Sequence, residues 1–174
     1  MTSSPARPAL LSATALVAAL LLAACSGDGG VRVAAPSASG SAAKQCAALK
    51  AALPATLDQE KTRGTSPDSA TVAAWGDPAI VLRCGVSIPG VLDPHAAAYD
   101  PLMDNHDVEE VNGVCWTSEP IGGGGFRYTT VKQQTYVEVT LPGAYAHRQS
   151  PIGSLSGPIQ KTDPVDASRP FACS

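Results

Sequence analysis

Chemistry in a chain of this kind would have to come from carboxylates, histidines, serines and cysteines, so their spacing is taken first. The densest grouping is Asp100, Asp104, His106, Asp107, Glu109 and Glu110. Carboxylates beside an imidazole are a metal donor set, and acidic loops hold calcium. A calcium loop needs oxygen donors at alternate positions and a glycine at the sixth. After Asp104 the alternate positions are His106 and Val108, and the sixth is Glu109. As a zinc site the grouping lacks a second nearby histidine, since His95 stands eleven residues before His106. A solvated acidic loop is the expectation, with no metal and no cofactor.

Other fragments resemble catalytic signatures and fail on a specific residue. Gly153-Ser-Leu-Ser-Gly157 has the glycines of a hydrolase nucleophile elbow but leucine where the serine belongs. Ser41-Ala-Ala-Lys44 spells the Ser-x-x-Lys of penicillin-recognising enzymes, without the partner motifs that chemistry needs. Gly122 to Gly125 would need a following helix to cradle phosphate, and a strand pattern follows instead. His95, His106 and His147 fall in segments that read as loops or helix ends, and nothing pairs a nucleophile with a base at a recognisable spacing. Triads assemble in space, so spacing alone does not close the question. The polar and aromatic candidates for a binding surface are Trp75, Asp77, Arg83 and Glu138.

Cys25 has a different setting from the other four cysteines. An apolar, uncharged run from Leu10 to Ala24 follows Arg7, with the length of a signal-peptide core rather than of a membrane span. It runs into Leu22-Ala23-Ala24-Cys25, which is similar to the lipobox of bacterial lipoproteins. That resemblance implies a diacylglyceryl group on the Cys25 thiol and cleavage just before it. Two acyl chains give stable anchoring where one is marginal. Residues 1–24 are therefore expected to be a lipoprotein signal peptide. Residues 25–43, rich in Ser, Gly and Ala, are expected to be the lipidated cysteine and a flexible tether. Its eighteen residues after Cys25 would span on the order of 23 Å.

What remains, residues 44–174, suits one extracytoplasmic domain with a modest core. Without the signal the chain carries 11 basic and 15 acidic side chains, net −4. No basic patch is available for phosphates, which argues against nucleic-acid binding. Cys46, Cys84, Cys115 and Cys173 are an even set in an exported domain, and read as two disulfides with three available connectivities.

The elements that would position these groups are a helix and several strands. Lys44 to Leu53 is rich in helix formers and stopped by Pro54, with Cys46, Leu49 and Leu53 on one face. Ala55 to Thr71 reads as a polar loop. Gly76-Asp77-Pro78 is a turn, and Ala79 to Val86 a strand with Ile80, Leu82, Cys84 and Val86 on one face. Two inward cysteines favour Cys46–Cys84, which leaves Cys115–Cys173. Asn112-Gly113 marks a hairpin or bulge. Phe126 to Val131 and Thr135 to Leu141 read as an antiparallel pair, the second with Val137, Val139 and Leu141 buried and Tyr136, Glu138 and Thr140 wet. Ile152, Leu155 and Ile159 mark a short helix. The expected class is α+β: a small, mostly antiparallel sheet, one N-terminal helix, a short C-terminal helix and two bridges.

The lipobox, Cys46 with Leu53-Pro54, the run Ala73-Ala-Trp-Gly-Asp-Pro-Ala-Ile-Val-Leu-Arg-Cys-Gly-Val86, Val111-Asn-Gly-Val114 with Trp116, and Tyr136-Val-Glu-Val-Thr-Leu-Pro142 together resemble the actinobacterial lipoproteins of domain of unknown function 3515. The likeness covers most of the chain after the tether, and the scarcity of lysine beside abundant Ala, Gly and Pro fits a GC-rich genome. It implies an exported, membrane-anchored lipoprotein and supplies no activity.

Two functions compete. One is a non-catalytic binding or accessory module of the cell envelope, held at the membrane through Cys25 and facing an envelope protein or cell-wall component. The other is an envelope hydrolase whose site gathers Asp77, Arg83, Asp104, His106 or Glu138. A deep pocket where Arg83, Glu138 and a histidine converge would favour the second.

Overall fold

The computed structural model describes residues 30–99, 108–146 and 151–170, together with Cys173. Twelve elements follow in chain order: β1 (Val31–Arg32), α1 (Gly40–Ala52), β2 (Thr56–Leu57), β3 (Glu60–Arg63), β4 (Thr65–Ser66), β5 (Val72–Trp75), β6 (Ile80–Val86), β7 (Val108–Val111), β8 (Val114–Ile121), β9 (Gly125–Thr130), β10 (Tyr136–Leu141) and α2 (Ile152–Thr162). Eight strands form one antiparallel sheet in the order β2-β3-β5-β6-β10-β9-β8-β7, and β1 and β4 make a separate parallel ladder. The class is α+β, as its alternating strand patterns and two helical segments predict.

Both helices lie on one face of the sheet. Cys46 and Leu49 of α1, and Ile152, Leu155 and Ile159 of α2, pack on Trp75, Ile80, Leu82, Trp116, Val137, Val139 and Leu141. These side chains recur at helical spacing on α1 and α2 and at every second position on β6 and β10, so one apolar layer is shared. The Cys46–Cys84 bridge joins α1 to β6 through this layer, with Cα atoms 5.5 Å apart. Cys115–Cys173 fastens the C-terminal segment to β8 on the other face, beside a smaller cluster of Leu92, Val108 and Val131.

Two backbone positions fix the geometry around these bridges. Gly85 is the extra residue of a bulge, since Tyr136 pairs with Val86 and Val137 with Cys84. Its φ is +84°, and a Cβ there would stand 2.8 Å from the Ala38 Cβ, so only glycine fits. At Asn112-Gly113 both φ angles are positive, 50° and 80°, and Val111 pairs with Val114 across a two-residue hairpin.

Three segments depart from the reading of the sequence. First, α1 begins at Gly40 rather than Lys44, and residues 30–39 lie along the domain. Val31 N donates to Gly64 O at 2.8 Å, Val33 N to Ser66 O at 3.1 Å, and Thr71 Oγ1 to Pro36 O at 3.0 Å. The expected tether is thus shortened, because a Ser/Ala-rich segment with little to bury can still be held by its backbone. Second, Ala55 to Thr71 is not simply loop: it holds β2, β3 and β4. The β2–β3 turn uses Asp58 and Gln59 at φ 50° and 70°, without the glycine that would have announced it. Third, the face of β10 bearing Tyr136, Glu138 and Thr140 is not wet but half-buried.

A polar cavity as the candidate functional site

The half-buried face owes its cover to two segments that carry few charges of their own, and the charges beneath it come from the strands. In register across the sheet stand Arg83 on β6, Glu138 on β10, Thr129 on β9 and Thr117 on β8. Directly paired residues share a face, so all four point away from the helices. One rung along, Thr140 pairs with Arg127, and Arg127 with Glu119. Arg127 is therefore diagonal to Glu138.

That placement puts two guanidinium groups on one carboxylate. Arg83 Nη1 donates to Glu138 Oε1 at 3.0 Å, and Arg127 Nε lies 3.6 Å from Glu138 Oε2, an ion pair beyond hydrogen-bond length. Arg83 Nε also donates to Ala34 O at 3.0 Å, tying the clamp to the N-terminal segment. The Glu138 side chain is only 12% exposed, so the pair sits where water screens it weakly. Around it opens a cavity of about 540 Å³, walled by Pro36 and Ser37, by Gly85 to Gly90, and by Arg83, Glu119, Arg127, Thr129 and Glu138. Two arginines and two glutamates balance. Such a lining can donate from guanidinium and accept at carboxylate, and it holds no net charge that would demand an ion of either sign.

Residues 7–167 match the model of a family described as protein of unknown function, DUF3515. The chain belongs to the DUF3515 family. No curated protein and no solved structure matches it significantly.

Within this DUF3515 chain the sequence-based candidates divide. Arg83 and Glu138 meet, as described. Trp75 does not belong to a surface: it is fully buried in the helix-side core, and its Nε1 donates to Pro54 O at 3.0 Å. Its place on the face with Ile80 follows from their pairing across the β5–β6 turn. Asp77 lies in that turn, largely exposed, 3.5 Å from Arg63 Nη1, and does not line the cavity. His95 is exposed. Cys25, Asp104, His106 and His147 lie outside the described residues. Among the described residues no three His, Cys, Asp or Glu side chains are placed to hold a metal ion, and no helix is long and apolar enough to cross a membrane.

Arg127 and Glu119 join the sequence-based candidates in the lining. The alternation of Phe126 and Tyr128 with Arg127 and Thr129 carries the signal, but it becomes a site only once the β9–β10 register is known. A second polar corner lies where the C-terminal segment crosses the end of the sheet. Asp163 is buried there, and burial pushes its carboxyl up to about 6, while the Thr135 N–H on Oδ1 and the charge of Arg169 pull the other way. Arg169 stacks on the Tyr136 ring, 3.8 Å from its centroid.

A second concavity, of about 450 Å³, lies between the end of α1 and β3 to β5. Leu53, Pro54, Val72 and Ala73 give it an apolar floor, and Lys50, Arg63 and Asp68 stand at its rim. Lys50 Nζ donates to Asp68 Oδ1 at 2.7 Å and to Ser69 O at 2.6 Å, and that bond, with the ammonium charge, lowers the Asp68 carboxyl below the usual carboxylate range.

Proposed function

We propose that the protein is an exported cell-envelope lipoprotein, anchored through Cys25, whose folded domain is a non-catalytic binding or accessory module. The cavity over Arg83, Glu138 and Arg127 is its ligand site. The observation that carries this reading is the doubly clamped carboxylate on the wall of a cavity of about 540 Å³, within the size range of small-molecule and side-chain pockets. Its charges compensate one another, which suits a polar neutral or zwitterionic group of an envelope protein or cell-wall component. The Leu22-Ala23-Ala24-Cys25 motif supports the anchor, and two disulfides support an oxidising compartment. The binding reading is favoured over the hydrolase because the described cavity lining brings no histidine to its hydroxyls, Ser37, Ser87 and Thr129.

The test is a photo-reactive residue in place of Ser87, on the cavity wall, irradiated in living cells. A discrete adduct that is lost in Arg83→Ala and in Glu138→Ala supports the site. An adduct of equal yield in folded forms of both variants removes the cavity from the function. For the anchor, Cys25→Ser is expected to abolish lipidation and processing. A variant still membrane-bound at full precursor size would contradict it.

A further inference from the structure

The cavity says what could bind; the N-terminal end of the domain says how the domain would sit. Gly30 is seated against β4: a Cβ on it would come within 3.0 Å of Gly64 O, and the next residue, Val31, donates its N–H to that same carbonyl at 2.8 Å. Only four residues lie between Cys25 and Gly30, and the five steps reach at most about 18 Å even when fully extended. The far edge of the sheet, β7, lies six strand intervals from β3, about 29 Å at the usual spacing. The leash is shorter than the sheet is wide.

Charge divides along the same axis. Near Gly30, Arg32 and Lys61 are exposed. The exposed acids on that side, Asp68 and Asp77, are taken up by Lys50 and Arg63, and Asp58 and Glu60 are half-buried. At the opposite edge β7 exposes Glu109 and Glu110. An anionic surface attracts the first edge and repels the second.

We infer that the edge built from β1, β4, β2 and β3 is a membrane-apposed face. Arg32 and Lys61 stand toward the headgroups of an anionic bilayer, and Glu109 and Glu110 are turned away from it. The inference rests on the Cys25 anchor proposed above. The rim of the apolar concavity, which includes Gly64 and Thr65, then opens on the membrane side.

The experiment uses the lipidated mature chain in vesicles of phosphatidylglycerol and phosphatidylethanolamine. A fluorescent amino acid is placed at Thr56 on β2 or at Glu109 on β7, and a headgroup-labelled lipid acts as quencher. Quenching several-fold stronger at Thr56 is expected. In a variant carrying both Arg32→Glu and Lys61→Glu, that ratio is expected to fall toward one. Equal or reversed quenching in protein that floats with the vesicles overturns the orientation and leaves the anchor standing, as does a ratio unmoved by the charge reversal. Protein that does not float overturns the anchor, and the orientation with it.

Discussion

Arg83 and Glu138 face each other directly on neighbouring strands, Nη1 3.0 Å from Oε1, and Arg127 closes on the other carboxylate oxygen at 3.6 Å. The carboxylate thus separates two guanidinium groups that would otherwise repel. Glu138→Ala is expected to destabilise the domain by about 1–3 kcal/mol, because it leaves half-buried cations without their counter-ion. Arg83→Ala is expected to cost less, since Arg127 still serves the carboxylate. Urea unfolding of the two variants checks the order.

Gly85 is held at φ +84° against Ala38, 2.8 Å from where a Cβ would be, with the Cys46 Sγ 3.6 Å away. Gly85→Ala should therefore lower stability by about 1–3 kcal/mol through backbone strain and crowding together. Adding Ala38→Gly should recover the crowding part and leave the strain. Chemical denaturation of the single and double variants separates the two.

Asp163 gives a pH dependence with a definite sign. Its carboxyl is raised to about 6 in the fold, against roughly 3.9 in an unfolded chain. Between those values the folded form binds more protons than the unfolded one. This group's contribution to stability therefore falls as pH rises from about 4 to about 6 and is level above that. Asp163→Asn keeps an acceptor for the Thr135 N–H and removes the titration. Melting curves should show the variant gaining on the wild type across that window and holding its advantage at pH 7.

Reducing the bridges should be costly in both cases. The Cys46–Cys84 pair closes a separation of 38 residues and Cys115–Cys173 one of 58, each contributing about 4 kcal/mol in the chain-entropy model. The paired alanine variants test this by thermal unfolding. The Cys46 and Cys84 pair is expected to show the larger loss, because those sulfurs also fill the main core.

How much of this was legible in the residues depended on the range of the interaction. The β10 alternation, the inward faces of α1 and β6, the Asn112-Gly113 hairpin and the Ile152, Leu155, Ile159 stripe are local patterns, and all appear in the fold. The Cys46–Cys84 pairing follows from which way those two cysteines face, and Cys115–Cys173 is what remains once it is made. Trp75 was misplaced because a tryptophan beside a turn reads equally as surface or core, and only its pairing with Thr62 and Ile80 decides. The charge of Glu138 is legible in the strand pattern, and its half-buried setting is not. Arg127 reaches it through a strand register, and its cover comes from Ala34 to Ser37 and from residues 85–90, neither of which carries a periodic pattern. Asp163 has no local pattern to mark it, and only the pairing of Gln133 with Val165 brings its segment across the sheet.

The two bridges enclose consecutive stretches of chain, 46–84 and then 115–173, with no overlap. In a chain that reaches an oxidising space N-terminus first, Cys46 and Cys84 are the only domain thiols present until Cys115 emerges. Their correct pairing then needs no proofreading. By the time Cys173 arrives, a single thiol is left for it. The order of the cysteines along the sequence thus removes the mispairing problem that four thiols released together would face.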